Sequence, residues 1–228
     1  MPRPSTDGKE FRCTRQFESL AMRQGRERVA GCDEAGRGAL IGPLYAAAVI
    51  LDPRHHIPGI DDSKKLSPDA RLGLDEEIRL HALAWQVVAV EAPEIDELNV
   101  YEASRQAMLR ALGALDPAPD FVLTDAMPLH GRWRDGEPFR IPHRALIHGD
   151  ARSVSIAAAS ILAKVARDAR MVELHQLYPQ YALAKNKGYG TADHLASLAR
   201  HGPCPEHRKT FQPVKDYLLP LFPFSHVG

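Results

Sequence analysis

The sequence GCDEAGRG at residues 31–38 places two adjacent acidic residues directly before a glycine-rich turn. Apolar residues lead into it, so residues 29–34 are predicted to form a short strand that ends at Asp33 and Glu34. Carboxylate oxygens are the ligands that Mg²⁺ and Mn²⁺ prefer, and glycines allow a backbone to approach a sugar-phosphate chain closely. The stretch therefore indicates metal ions held against a phosphate, although a solvated strand end followed by a tight turn is an alternative.

The segments around this strand show alternating strand and helix patterns. Residues 41–51 are apolar enough for a buried second strand, which a tight turn should pair antiparallel with the first. Ser67 and Pro68 suit an N-cap and a first helical position, and the small residues at 155–160 predict a helix that packs closely on the sheet. The remaining predictions are strands at 85–91, 120–124 and 143–147, helices at 16–24, 67–83, 153–178 and 191–201, a turn and then a helix within 93–115, and a basic, aromatic loop at 179–190.

This order of elements predicts an α/β fold with a mixed five-stranded sheet flanked by helices, continued by a helical C-terminal extension. The chain has 228 residues, 44% of them hydrophobic and 25% charged, as in an ordinary globular protein. No apolar run approaches the ~20 residues that span a bilayer. Residues 1–14 are polar and show no signal peptide, so a cytoplasmic protein without a membrane partner is expected.

Cysteine and histidine patterns argue against a zinc centre. The three cysteines are an odd number without CxxC spacing, which predicts reduced thiols. The eleven histidines show no HExxH motif and are expected to form no other tight ligand pair at helical spacing, so histidine-bound zinc is not expected.

The net charge of zero hides an asymmetry along the chain. Residues 151–228 carry ten Lys and Arg against five acids, whereas residues 1–150 carry 19 against 24. This polarity suits a polyanion bound by one part of the molecule while an acidic centre elsewhere holds metal cations. Scattered charge on solvated helices would explain it equally well.

Two further aspartates fall at predicted strand ends. Asp125 closes the fourth strand and Asp150 follows the fifth, and active sites of open α/β sheets gather outside the carboxyl ends of strands. Four carboxylates could hold two divalent ions, although each acid alone also suits a helix cap or a turn. Adjacent strand residues point to opposite faces, so a distorted strand end or the longer side chain of Glu34 must bring it to the site beside Asp33.

Several motifs together resemble the type 2 ribonucleases H, specifically bacterial ribonuclease HII, from about residue 17 to residue 218. The motifs that carry this resemblance are residues 31–38 with Gly42-Pro43, Asp62-Ser63-Lys64-Lys65-Leu66, Gly149-Asp150 with residues 155–168, Lys187-Gly188-Tyr189-Gly190-Thr191 with His194, and His207-Arg208 with Phe211.

The resemblance implies an endoribonuclease that acts on RNA-DNA hybrids and on single ribonucleotides embedded in duplex DNA. It implies that Asp33, Glu34, Asp125 and Asp150 are the catalytic, metal-binding acids for two Mg²⁺ or Mn²⁺ ions. Cleavage on the 5′ side of the ribonucleotide, leaving 3′-hydroxyl and 5′-phosphate ends, would serve ribonucleotide removal in DNA repair. A monomer is the default expectation.

The resemblance also implies substrate contacts. Gly36-Arg37-Gly38 would read the ribonucleotide at an RNA-DNA junction, and Tyr189 would pack on the following deoxyribose. Lys64 and Lys164 would contact phosphates. The chain departs from the family pattern beside the third acid, where Ala126 replaces the usual glycine.

The domain organisation expected from these patterns is a flexible tail at residues 1–16, a ribonuclease H-like catalytic domain at 17–178, and a basic substrate-binding segment at 179–228 packed on the same domain. Alternatives are another nuclease or phosphotransferase on such a sheet, and a non-catalytic nucleic-acid-binding module that needs no metal. Ribonuclease HIII is disfavoured because the short segment before Asp33 leaves no space for the additional N-terminal domain of that family.

Overall fold

A computed structural model describes residues 11–218, in which five strands form one sheet in the order β3-β2-β1-β4-β5. The strands are β1 (Val29–Ala35), β2 (Leu44–Leu51), β3 (Ala82–Val90), β4 (Phe121–Asp125) and β5 (His143–Leu146). The helices are α1 (Gln16–Arg23), α2 (Pro68–His81), α3 (Ala92–Leu98), α4 (Val100–Gly113), α5 (Val154–Leu177), α6 (Leu183–Asn186) and α7 (Ala192–His201). Short 3₁₀ turns lie at Arg134–Gly136, Pro179–Tyr181 and Val214–Tyr217.

The pairing of the strands confirms the predicted mixed sheet. β1 is central, antiparallel to β2 and parallel to β4, and β4 is parallel to β5. The carboxyl ends of β1, β4 and β5 therefore open at the same edge of the sheet, where Asp33, Asp125 and Asp150 were expected to meet.

Several elements differ from the sequence predictions, and β3 begins at Ala82 rather than residue 85. β2 begins at Leu44 rather than residue 41, because Gly42 has a φ of 78° and Pro43 has no N–H for a strand ladder. The predicted turn before Asn99 is a helix, α3, and Asn99 breaks it from α4 with a φ of 67°. The predicted loop at 179–190 contains a 3₁₀ turn and α6.

The helix starts at Ser67 and Thr191 follow the predicted capping chemistry. The Ser67 side chain accepts a hydrogen bond from the Ala70 N–H, and the Thr191 side chain accepts one from the His194 N–H. Among the helices within residues 11–218, none combines the length and hydropathy needed to cross a membrane.

The described chain divides into two compact units. One comprises residues 11–35, 45–89 and 104–166, and the other comprises residues 36–44, 90–103 and 167–218. The boundary between the units falls within α5 at Arg167, whereas the predicted segments 17–178 and 179–228 divide the chain elsewhere and stay a prediction.

The predicted flexible tail at 1–16 lies partly outside the described residues, which begin at Phe11. In its described part, Thr14 forms a bridge with Ser153, and α1 begins at Gln16.

Each unit has its own apolar core. In the first, β2 and α2 pack against the small-residue face of α5, which contributes Ala158, Ala159 and Ala163. In the second, two clusters form around Ile41 and Leu40.

α5 approaches the backbone of β1 very closely at Gly31. A Cβ built there would lie 2.0 Å from the Ser155 carbonyl carbon and 2.4 Å from the Ile156 nitrogen. This closeness confirms the predicted packing of the helix on the sheet, and it requires glycine at that strand position.

Candidate active site

Three of the four predicted acids meet at the carboxyl edge of the sheet. Asp33 lies on β1, Asp125 ends β4, and Asp150 follows β5, and one carboxylate oxygen from each lies within 4.8 Å of the others. Asp33 is 5% exposed and Asp150 is 3% exposed. Such a set of buried oxygen ligands suits a hard divalent cation.

The electrostatics of this group favour a cation. Burial raises the pKa of Asp33 well above its ordinary range, and the charges of Glu34 and Asp125 raise it further. Burial also raises the pKa of Asp125, against the lowering effect of a 2.7 Å hydrogen bond from the Gly149 N–H. A divalent ion would offset this repulsion, which satisfies the chemical requirement for a metal site.

Lys64 closes the site on the side of Asp150. Its ammonium donates to Asp150 Oδ2 at 2.6 Å. Partial desolvation lowers the pKa of Lys64, but the hydrogen bond and charge of Asp150 outweigh it and raise the pKa to about 12. Lys64, the predicted phosphate contact, therefore forms an ion pair with Asp150, which is a candidate metal ligand.

Two buried serines support the site, Ser160 from α5 and Ser63 from the loop before α2. The Ser160 hydroxyl bonds to Asp33, and it lies 3.0 Å from the Ser63 hydroxyl. Lys164 lies one helical turn beyond Ser160 on α5 and is half-buried. Sequence reasoning assigned no role to either serine, although both fall inside the quoted motifs.

Glu34 is not one of the three side chains in this group. A distorted strand end, one of the two expected ways to bring Glu34 to the site, is not observed, because β1 keeps regular pairing with β2 at Asp33, Glu34 and Ala35. The longer side chain of Glu34 stays as the other expected way. Regular alternation sends the Glu34 side chain to the opposite face from Asp33. Its charge still acts on Asp33, but its oxygens are outside the 4.8 Å group.

The turn after Asp125 shows why glycine is usual at position 126 and how the turn is held when alanine replaces it. Ala126 adopts a φ of 52°, in the left-handed region that favours glycine, so the glycine that the family usually has at this position has a conformational reason. The turn is held by the Thr124 hydroxyl, which donates to the Met127 carbonyl at 2.6 Å, and by the Ala126 N–H, which donates to the Leu146 carbonyl at 2.9 Å. Asp125 therefore keeps its place without the glycine.

The predicted ribonucleotide-reading turn, Gly36-Arg37-Gly38, lies in the second compact unit and is supported by two buried arginines. Gly36 has a φ of 92°, and a Cβ there would lie 1.9 Å from the Arg167 Nε, so the glycine makes room for that side chain. Arg208 donates to the Arg37 carbonyl at 3.0 Å and to the Gly42 carbonyl at 3.0 Å. Sequence reasoning missed both arginines, because a charged residue in a motif gives no sign that it is buried.

Tyr189 is brought to the same turn. Its Cε1 atom lies 4.0 Å from the position of a Cβ on Gly38, and the Arg167 guanidinium lies 5.3 Å from the centre of its ring. Arg167 also donates to the Lys187 carbonyl at 2.8 Å. The structure thus brings the predicted junction-reading residues together, with Tyr189 38% exposed.

A chain of two buried histidines fixes the backbone of Tyr189. His207 Nδ1 accepts from the Cys204 N–H at 3.0 Å, so its Nε2 carries the proton and donates to His194 Nε2 at 3.3 Å. His194 Nδ1 then donates to the Tyr189 carbonyl at 3.0 Å. Only two neutral rings satisfy all three bonds.

Protonation of this pair is expected to destabilise the protein. Burial, and then the proximity of His194, lower the pKa of His207 from 6.5 to about 4. The unfolded chain therefore binds more protons between these values, so stability is complete above pH ~6.5 and falls by roughly 3 kcal/mol as pH drops to ~4. Urea unfolding of wild type and His207→Gln across this pH range measures the loss of stability. The variant should lose less stability than wild type, and an equal pH dependence of the two proteins would refute the buried neutral pair.

Comparison with known proteins places these features in a family. A family model described as Ribonuclease HII matches residues 30–214. The ribonuclease HII of Solibacter usitatus (strain Ellin6076) is 47% identical over 224 residues, covering 98% of this chain and 94% of that protein. The ribonuclease HII of Geobacillus thermodenitrificans (strain NG80-2) is 50% identical over 203 residues, covering 89% and 75%. The crystal structure of ribonuclease H2 from Pyrococcus horikoshii OT3 matches with a TM-score of 0.70 at 27% identity, covering 84% of this chain and 97% of that chain.

Proposed function

The chain belongs to the ribonuclease HII family and is an endoribonuclease, and we propose that it cuts duplex DNA on the 5′ side of single embedded ribonucleotides as well as RNA in RNA-DNA hybrids. The observation that carries this proposal is the group of three carboxylates, Asp33, Asp125 and Asp150, whose oxygens lie within 4.8 Å of one another. Such a cluster is the ligand set expected of a metal-dependent phosphodiesterase. The proposed products carry 3′-hydroxyl and 5′-phosphate ends.

The three aspartates are proposed to hold two Mg²⁺ or Mn²⁺ ions, with Glu34 as the fourth acid. When bound, such ions supply Lewis-acid activation of water and stabilisation of the leaving oxygen. The protein supplies the placement of the carboxylates, with Ser160 orienting Asp33 and the Gly149 N–H orienting Asp125. Lys64 fixes Asp150 and offers an ammonium to an incoming phosphate.

Substrate choice is proposed to reside in the Gly36-Arg37-Gly38 turn and Tyr189. Backbone groups exposed by glycines can hydrogen-bond a 2′-hydroxyl, which alone distinguishes RNA from DNA at one nucleotide. The exposed ring of Tyr189 beside Gly38 would pack on a deoxyribose and exclude a ribose at that position. Lys164 is proposed as a second phosphate contact.

A DNA-repair role, a cytoplasmic location and a monomeric state stay predictions from the sequence. The rival non-catalytic binding module is disfavoured by the buried aspartates, since acids beside a phosphate backbone require cations between them. The other rival, a structure-specific DNase on the same fold, is distinguished by its substrate, because it would also cut an all-DNA duplex.

The test is cleavage of matched duplexes with no, one or four ribonucleotides, in Mg²⁺, Mn²⁺ or EDTA. We expect cleavage of the duplexes with one and with four ribonucleotides in either metal, no cleavage in EDTA, and no cleavage of the all-DNA control.

Tyr189→Ala should lower cleavage at a single ribonucleotide by about tenfold or more, because ~1–3 kcal/mol of ring stacking is lost. The control Tyr217→Ala, which removes another exposed tyrosine, should be near wild type. Equal cutting of the all-DNA duplex would overturn the proposal.

A further inference from the structure

A second group of metal-ligating side chains lies on α2 and the loop that precedes it. His55, Glu77 and His81 each offer one ligand atom, and these atoms lie within 4.8 Å of one another. Glu77 and His81 are four residues apart and therefore share a helix face, so the sequence expectation that no histidine belongs to a ligand pair at helical spacing is wrong. His55 is distant in sequence, and only the fold reveals that it joins them.

The geometry of the group is close to that of a three-ligand site. His81 Nε2 lies 3.5 Å from Glu77 Oε2, and the His55 and His81 rings stack with their centres 3.8 Å apart and their planes 13° from parallel. One ring nitrogen of each histidine lies within 4.8 Å of the other and of a Glu77 oxygen, and rotation of the rings out of the stack would direct both nitrogens to one ion. Both histidines are partly exposed, which leaves room for these rotations.

The backbone of His55 is anchored independently of its ring. Its N–H donates to the Asp52 carbonyl at 3.2 Å, and its carbonyl accepts from Arg15 Nη2 at 3.0 Å. The other two ligands lie in the last turns of α2, which begins at Pro68 and ends at His81. Two fixed backbones therefore present the three side chains to each other.

We propose that His55, Glu77 and His81 form a binding site for a transition-metal ion of the Zn²⁺ class, separate from the three-aspartate cluster. Two imidazoles and one carboxylate suit Zn²⁺ and leave a fourth position for water, whereas Mg²⁺ prefers oxygen ligands. A bound ion would tie residue 55 to the end of α2 and so clamp the loop of residues 52–66, which carries Lys64. The site rests on its own residues and does not depend on the proposed substrate.

Zn²⁺ binding to the metal-stripped full chain tests this site. Isothermal calorimetry is done in excess Mg²⁺, which is added to compete for the carboxylate cluster and so favour detection of the imidazole site. Wild type should bind one Zn²⁺, and both His81→Ala and His55→Ala should weaken that binding at least about tenfold, the effect of disturbing a metal site. The same Zn²⁺ should raise the thermal midpoint of wild type and not that of either variant.

Two controls sharpen the result. His201→Ala removes an exposed histidine that, like His81, is the last residue of its helix, and His56→Ala removes the neighbour of His55. Both should bind Zn²⁺ as wild type does. Absence of Zn²⁺ binding in wild type, equal binding by His81→Ala, or loss in only one of the two ligand variants would overturn the three-ligand site.

Discussion

Asp33→Asn is expected to lower kcat by at least about a thousandfold and, in the absence of metal, to stabilise the fold. Loss of charge from a ligand removes several kcal/mol of transition-state stabilisation, and about 4 kcal/mol corresponds to that factor. The same carboxylate is 5% exposed and lies near the charges of Glu34, Asp125 and Asp150, so its removal relieves repulsion in the apo protein. Asn keeps an oxygen that can accept from the Glu34 N–H, the bond that Asp33 Oδ1 makes at 2.7 Å.

Single-turnover cleavage and thermal unfolding measure the two effects. For a chain of this length, each kcal/mol shifts the melting temperature by roughly 2–4 °C. Mg²⁺ or Mn²⁺ should raise the melting temperature of wild type and have a smaller effect on the variant, because the ion would neutralise the charge that Asn has already removed.

Asp69→Asn is the matched control for Asp33→Asn. It makes the same chemical change at an exposed position in the first turn of α2. Activity should stay normal, and stability should fall slightly, by up to ~1 kcal/mol, since an acid at a helix N-terminus is favourable. Near-normal cleavage by Asp33→Asn would refute its assignment as a metal ligand.

The sequence was sufficient for the sheet and for the meeting of three aspartates at one of its edges, because both follow from local patterns. Strand ends can be read from apolar runs, and parallel neighbours bring Asp33, Asp125 and Asp150 to one edge. The placement of Glu34 could not be predicted, since it depended on whether β1 stays regular to Ala35, which is set by pairing with β2.

Features that depend on contacts between residues distant in sequence could not be predicted either. Arg208 reaches carbonyls more than 160 residues earlier, and His55 meets α2 only through the path of its loop. Gly31 gave no sign of its role, because a glycine in a strand is compatible with a bulge, a bend or a close backbone approach. The structure selects the last of these.

Gly31→Ala is expected to lower the free energy of unfolding by more than about 3 kcal/mol. The new Cβ would lie 2.0 Å from the Ser155 carbonyl carbon and 2.1 Å from its oxygen, and these are backbone atoms in the first turn of α5 that cannot swing aside. Gly73→Ala should instead raise the free energy of unfolding by ~0.5–1 kcal/mol, because Gly73 lies within α2 and a Cβ there would meet nothing within 4 Å.

Urea unfolding followed by circular dichroism measures both glycine variants. The Gly31 variant should also lose activity when folded, because Asp33 lies two residues further on the same strand face and Ser160 reaches it from α5. Any widening between β1 and α5 therefore moves Asp33 away from its serine. A Gly31→Ala protein as stable and active as wild type would show that the strand and helix are not in backbone contact, and would contradict the role of that contact in holding Ser160 beside Asp33.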